Sequence, residues 1–170
     1  MFVLGVDPGL SRCGYAVVEP APRGRGRAHA LGVLRTAADL PVPERLAQLH
    51  RDLDELLDEF TPAVVSVERI FFQNNVRTAV GVAQASGLAL ALAARRGVTV
   101  VQYSPSEVKS VVAGDGQAAK GQVQEMVQLL LGLAEMPRPA DAADAAALAL
   151  CHLANDPHLR AASSASGVPT

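Results

Sequence analysis

The sequence predicts a mixed α/β fold, a five-stranded mixed sheet flanked by helices on both faces. Three apolar stretches with strand character open the chain in close succession, at Phe2 to Val6, Gly14 to Val18 and about His29 to Thr36. Two more, Ala63 to Val67 and Val98 to Tyr103, alternate with segments of helical period, as in strands joined by crossover helices. With 170 residues, 49% of them hydrophobic, the chain has material for one ordinary domain and a sizeable core.

The first three strands form a meander separated by turn-rich segments. Residues 20–27, Pro-Ala-Pro-Arg-Gly-Arg-Gly-Arg, read as a Pro/Gly/Arg hairpin loop. After Pro43, Leu46, Leu49, Leu53, Leu56, Leu57 and Phe60 recur at helical spacing with acids between them, which predicts an amphipathic helix laid on the sheet. Pro62 ends it, and Ala63 to Val67 is a buried central strand. A helix from about Arg77 to Ala94 is apolar around much of its circumference, so its own core or a second subunit buries more than one side. After the strand at Val98 to Tyr103, Ser104-Pro105-Ser106-Glu107 is a helix start: Ser caps, Pro suits the first position and Glu reaches back. Lys109 lies in that short helix. Gly114-Asp115-Gly116 turns into a helix from about Ala118 to Leu133 with Lys120 near its beginning, and the last helix runs from about Ala140 to Ala154. The expected organisation is a folded domain over 1–156 and a flexible tail over 157–170.

Four carboxylates carry the functional signal. Asp7 closes the first apolar run, Glu68 closes Ala63 to Val67, and Asp141 with Asp144 opens the last helix. Acids three apart share a helix face, and an acid ending a strand points from a sheet edge. Taken singly, each has an ordinary explanation: turn chemistry at Asp7-Pro8-Gly9, a strand end meeting water at Glu68, and favourable charge at a helix start. Taken together, they form a cluster that repels itself unless a cation neutralises it. Hard oxygen ligands without thiolates or a paired-His motif favour Mg²⁺, or Mn²⁺ in its place, over zinc.

Net charge of −2 argues against a broadly basic, non-specific nucleic-acid binder but leaves room for a local basic stripe. Thirteen of the fifteen basic residues are Arg, so Lys109 and Lys120, the only two Lys, suggest a need for compact, mobile point charges. Cys13 and Cys151 are far apart and read as packed or inert thiols, and the four His are scattered. No apolar run is long enough to span a membrane and the amino terminus lacks a signal pattern, so a soluble, cytoplasmic protein is expected.

Gly5-Val6-Asp7-Pro8-Gly9 with Gly14-Tyr15, Val67-Glu68, Pro105 to Lys109, and Pro139-Ala140-Asp141-Ala142-Ala143-Asp144-Ala145 together resemble the RuvC-type Holliday junction resolvases. The resemblance spans about Met1 to Asn155. It implies a ribonuclease H-like fold, a homodimer and Mg²⁺-dependent endonuclease action on four-way DNA junctions, in recombination and DNA repair. It also implies that Asp7, Glu68, Asp141 and Asp144 are catalytic metal ligands, with two ions per site when DNA is bound. Lys109 and Lys120 match the family's basic residues near the scissile strand. Phe71 matches an aromatic that stacks on a base, and Phe72 beside it is a second candidate. A junction-binding protein and a branch-migration motor are the family's partners. Three rivals follow from the same residues: a junction-binding module with dead chemistry, a related nuclease acting on RNA or another branched DNA, and an actin-like ATPase, for which the chain is short.

Overall fold

The computed structural model describes residues 1–70 and 76–156. Phe71, Phe72 and the 157–170 tail lie outside the described residues. The elements are β1 (Val3–Asp7), β2 (Arg12–Ala21), β3 (Arg25–Arg35), α1 (Val42–Phe60), β4 (Val64–Glu68), α2 (Val76–Arg95), β5 (Thr99–Tyr103), α3 (Pro105–Ala113), α4 (Lys120–Leu131) and α5 (Ala140–Asn155). They build the expected five-stranded mixed sheet, in order β3-β2-β1-β4-β5. The β1–β2 and β2–β3 pairs are antiparallel, while β1–β4 and β4–β5 are parallel.

The strand sequences explain the layering. β1 and β4 are nearly continuous apolar runs because both their faces are covered. Leu4, Val6, Cys13, Val17, Val65 and Val67 bury against Leu49, Leu53 and Leu57 of α1 and Ala85, Ala89, Leu92 and Ala93 of α2. Val3, Ala16, Val18 and Val64 face the other way, into a core completed by α3, α4 and α5. The Leu spacing in α1 therefore does what an amphipathic stripe should. Its polar face is tied to the end of α2, where Arg96 donates to Asp54 and, at 2.7 Å, to Asp58, and Arg95 meets Asp54 at 3.1 Å.

One expectation fails. The segment 20–27 is mostly strand: Ala21 pairs with Arg25, leaving only Pro22, Arg23 and Gly24 as the turn. Arg23 and Gly24 take positive φ, 63° and 70°. Pro20 is tolerated because the β1–β2 ladder ends at Val3–Val18, so β2 has a single neighbour there. The helix starts also differ by a residue or two. α1 begins at Val42 with Pro41 before it, and α4 begins at Lys120.

Candidate active site

β1 and β4 run side by side in parallel, with Val6 opposite Val67. The next residue of each is Asp7 and Glu68, so two acids leave the same edge of the sheet on neighbouring strands. This is the carboxyl edge, where open α/β sheets place their ligands.

The other two acids arrive through α5, whose backbone lies almost on the sheet. An added Cβ at Gly5 would stand 2.0 Å from the Ala145 carbonyl oxygen, and one at Gly14 would stand 2.0 Å from that of Asp141. Ala142, Ala143, Ala145, Ala146 and Ala149 keep the helix side of this contact small and buried. The hydroxyl of Ser66, fully buried in β4, donates to the Leu148 carbonyl at 2.9 Å and fixes the helix along its length. Ser66→Ala is expected to cost about 1 kcal/mol, since it removes a buried hydrogen bond, and a shift of the urea midpoint at constant slope checks it.

Two cavities open beside these acids, and both are lined by Asp7 and Glu68. One, of about 370 Å³, adds Asp144, Lys109 and Lys120. The other, of about 490 Å³, adds Asp141, Arg12, Arg45 and the loop Pro8 to Ser11. All six predicted side chains from the described residues are thus brought together. Local chemistry sets the lysines. In α3 the Ser104 hydroxyl accepts from the Glu107 amide at 3.2 Å while the Glu107 carboxylate accepts from the Ser104 amide at 2.7 Å, as the sequence predicts. At α4 the Gln122 side chain accepts from the Ala119 amide at 2.7 Å. Lys120 is therefore the first residue of a helix, where a cation is disfavoured. Its ammonium donates to Asp144 Oδ2 at 2.6 Å.

Burial is the first cause that raises the Asp7 carboxyl; the charges of Glu68, Asp144 and Asp141 follow, and Lys120 opposes them. The result is a carboxyl lifted to about 7. Glu68 is pushed up by burial and then by Asp144, again against Lys120. Lys120 is itself held above its ordinary value, chiefly by its bond to Asp144. Among the described residues no three Asp, Glu, His or Cys side chains are already gathered as a metal-holding group. Asp144 is turned to Lys120, and Asp141 to Arg12 at 3.5 Å. The donor set nevertheless fits a hard cation, because it offers only carboxylate oxygens and its central member is strained by its neighbours' charge.

The cysteines behave as expected. Both are buried, and burial pushes each thiol up to about 12, which leaves no nucleophile. His152 meets the Tyr103 hydroxyl at 3.1 Å and Asp156 at 3.9 Å, and lines neither cavity. Sequence reasoning missed Arg12 and Arg45. Arg12 opens β2 five residues after Asp7, a sequence signal for its nearness. Arg45 is one of several charged residues on the polar side of α1, and nothing local distinguishes it.

This sheet order, with acids at the ends of two central parallel strands and on a helix pressed across them, defines a ribonuclease H-like nuclease. Residues 3–152 match the family described as crossover junction endodeoxyribonuclease RuvC. The chain belongs to that family. A protein of that name from Frankia casuarinae is 53% identical over 171 residues, covering 100% of this chain and 99% of its own length. One from Saccharopolyspora erythraea is 54% identical over 156 residues, 90% of this chain and 77% of the relative. Among solved structures, Thermus thermophilus RuvC in complex with a Holliday junction substrate superimposes with a TM-score of 0.87 at 38% identity, covering 96% of this chain and 97% of that one. A yeast mitochondrial Holliday junction resolvase shares the fold, with a TM-score of 0.66 at 18% identity over 95% and 83% of the two chains. None of the described helices is long and apolar enough to cross a membrane.

Proposed function

We infer that this chain is an endonuclease that resolves four-way DNA junctions by paired, symmetric nicks. The observation that carries the inference is the convergence of Asp7, Glu68, Asp141 and Asp144 from three separated stretches of chain, in a member of a junction-cutting family. Asp7 and Glu68 are the central ligands for Mg²⁺, with two ions per site on DNA and Mn²⁺ as a substitute. Asp141 and Asp144 complete the set. When bound, the ions supply Lewis acidity to the attacking water and to the leaving oxygen of the phosphodiester.

The protein's own residues supply the rest. A carboxyl that titrates near 7 is partly protonated at neutral pH, so Asp7 gives up a proton as a cation is bound. With Asp144 engaged as a metal ligand, Lys120 would be released to face the scissile phosphate together with Lys109, which lines the same cavity. The products are a 5′-phosphate and a 3′-hydroxyl. A two-fold homodimer presents two such sites to strands of like polarity, and Phe71 or Phe72 stacks on a base at the crossover. Junction shape selects the substrate, because phosphate contacts carry no sequence information. The enzyme is cytoplasmic, acts through its 1–156 domain, and works with a junction-binding protein and a branch-migration motor.

Lys120→Ala tests the basic side of the site. At saturating junction its single-turnover cleavage rate is expected to fall about a hundredfold, the loss usual for one preorganised charge-stabilising group. An unchanged rate would remove Lys120 from the chemistry. A melting curve accompanies the rate, because the substitution takes a cation from a helix start but also removes the Asp144 pair.

A further inference from the structure

The two cavities share Asp7 and Glu68 but differ in their remaining walls. Lys109 and Lys120 account for the basic charge of one. The basic charge of the other comes from Arg12 and Arg45, to which the proposed chemistry gives no role.

Arg45 is held in place. Its Nε donates to the Thr36 hydroxyl at 2.9 Å and its terminal nitrogen to the Ser11 hydroxyl at 2.6 Å. Thr36 in turn donates to the Leu10 carbonyl at 2.5 Å, so the guanidinium is pinned to the loop that follows Asp7. Both acceptors of Arg45 are neutral hydroxyls. Their bonds orient the group without offsetting its charge, and three of its five N–H donors are left over. Arg12 pairs directly across the strands with Arg35, an unfavourable placement of like charges. Its one acid is Asp141 at 3.5 Å, and its side chain is 59% exposed, a contact too loose to fix it. Among the described residues neither Arg35 nor Arg45 forms an ion pair with an acid. Two guanidiniums, from β2 and α1, therefore line the cavity beside Asp7, Glu68 and Asp141, only Arg12 being paired with an acid, and β3 places Arg35 across from Arg12. An oriented fork of N–H donors with no ion-pair partner among the described residues, in the cavity that holds the acids, matches a phosphate diester.

We propose that Arg12 and Arg45 hold the DNA phosphate adjoining the scissile one, on the flank opposite Lys109 and Lys120, and that Arg35 strengthens the field there. This rests on the junction-cutting reading. One strand then crosses the acids with a basic grip on each side, and the reacting phosphate is centred between the grips rather than drawn to one.

The test is metal-free binding of the wild type, Arg12→Gln and Arg45→Gln to a synthetic four-way junction in EDTA, over about 50 to 200 mM salt. Each variant is expected to lower the slope of log K against log salt by about one, the signature of one lost phosphate contact, and to weaken binding about tenfold at 0.1 M. A merely structural Arg45 would leave the slope unchanged. Where Arg45→Gln melts well below the wild type, Arg12→Gln decides, since its exposed side chain makes only the loose 3.5 Å contact with Asp141. A neutral methylphosphonate placed next to the mapped cleavage position should weaken the wild type but add nothing to Arg12→Gln. Wild-type slopes in the folded variants, or full additivity with the methylphosphonate, would overturn the proposal while leaving the functional reading intact. A wild type that cuts no junction would sink that reading, and the proposal with it.

Discussion

Asp7→Asn is expected to lower junction cleavage roughly a thousandfold or more and, in EDTA at pH 8, to make the protein melt at a higher temperature than the wild type. The two effects share a cause. Burial, followed by the charges of Glu68, Asp144 and Asp141, lifts the Asp7 carboxyl to about 7. In the unfolded chain the same group titrates near its ordinary value of 3.8. Between these values the folded state binds the extra proton, so stability falls as pH rises through the window from about 4 to about 7 and stays low above it. Each pH unit separating the folded and unfolded values corresponds to about 1.4 kcal/mol, and even half of that separation amounts to several degrees of melting temperature for a chain of this size. Asn is neutral and nearly isosteric, so it escapes that cost. The gain should vanish below about pH 4, where the wild-type carboxyl is protonated in both states. Mg²⁺ should stabilise the wild type and not the variant, since ligand binding to the folded state raises its stability. Melting curves at pH 4 and pH 8, with and without Mg²⁺, check each part. A variant less stable at pH 8, or one that still cuts, would show Asp7 to be an ordinary turn residue.

Gly14→Ala should be nearly as damaging from a position that touches no substrate. Its methyl group would stand 2.0 Å from the Asp141 carbonyl oxygen and 2.6 Å from the carbonyl carbon. Both are backbone atoms of α5, so no side chain can swing aside. Either α5 lifts from the sheet or β2 bends, at a cost of about 1–3 kcal/mol for overpacking. Displacing Asp141 by even 1 Å costs on the order of a hundredfold in rate. The control is Gly121→Ala in α4, where an added Cβ meets nothing within 4 Å. There the change should stabilise, by up to about 1 kcal/mol of helix propensity. Denaturant midpoints and cleavage rates of the pair separate close packing from any general effect of a methyl group. Equal behaviour of the two variants would contradict the close approach of α5.

The contrast between these two glycines shows what the sequence could and could not reveal. Strands β1 and β4 were legible because burial on both faces forces apolar runs, and each ends on its acid. The start of α3 was legible because Ser104 and Glu107 cap each other within four residues. Asp141 and Asp144 were legible as a helix-face pair, but their distance from Asp7 was not. That distance is set by Gly5 and Gly14, whose need for a bare backbone appears only once α5 is laid on them. The 20–27 segment misled because Pro and Gly usually signal loops, whereas here β2 has already lost one neighbour and tolerates Pro20 within a strand. Arg12 and Arg45 escaped notice for a similar reason. Their meaning lies in cross-strand pairing and in hydroxyls brought from Ser11 and Thr36, relations that local pattern does not encode.

The most direct test of the central claim is to incubate the purified chain with a mobile synthetic four-way junction and a matched linear duplex, with Mg²⁺ or EDTA, and to map nicks on every strand. The expected result is metal-dependent, symmetrically paired nicks in the junction alone. Tight junction binding without nicks under every metal condition, or equal cutting of the linear duplex, would contradict it.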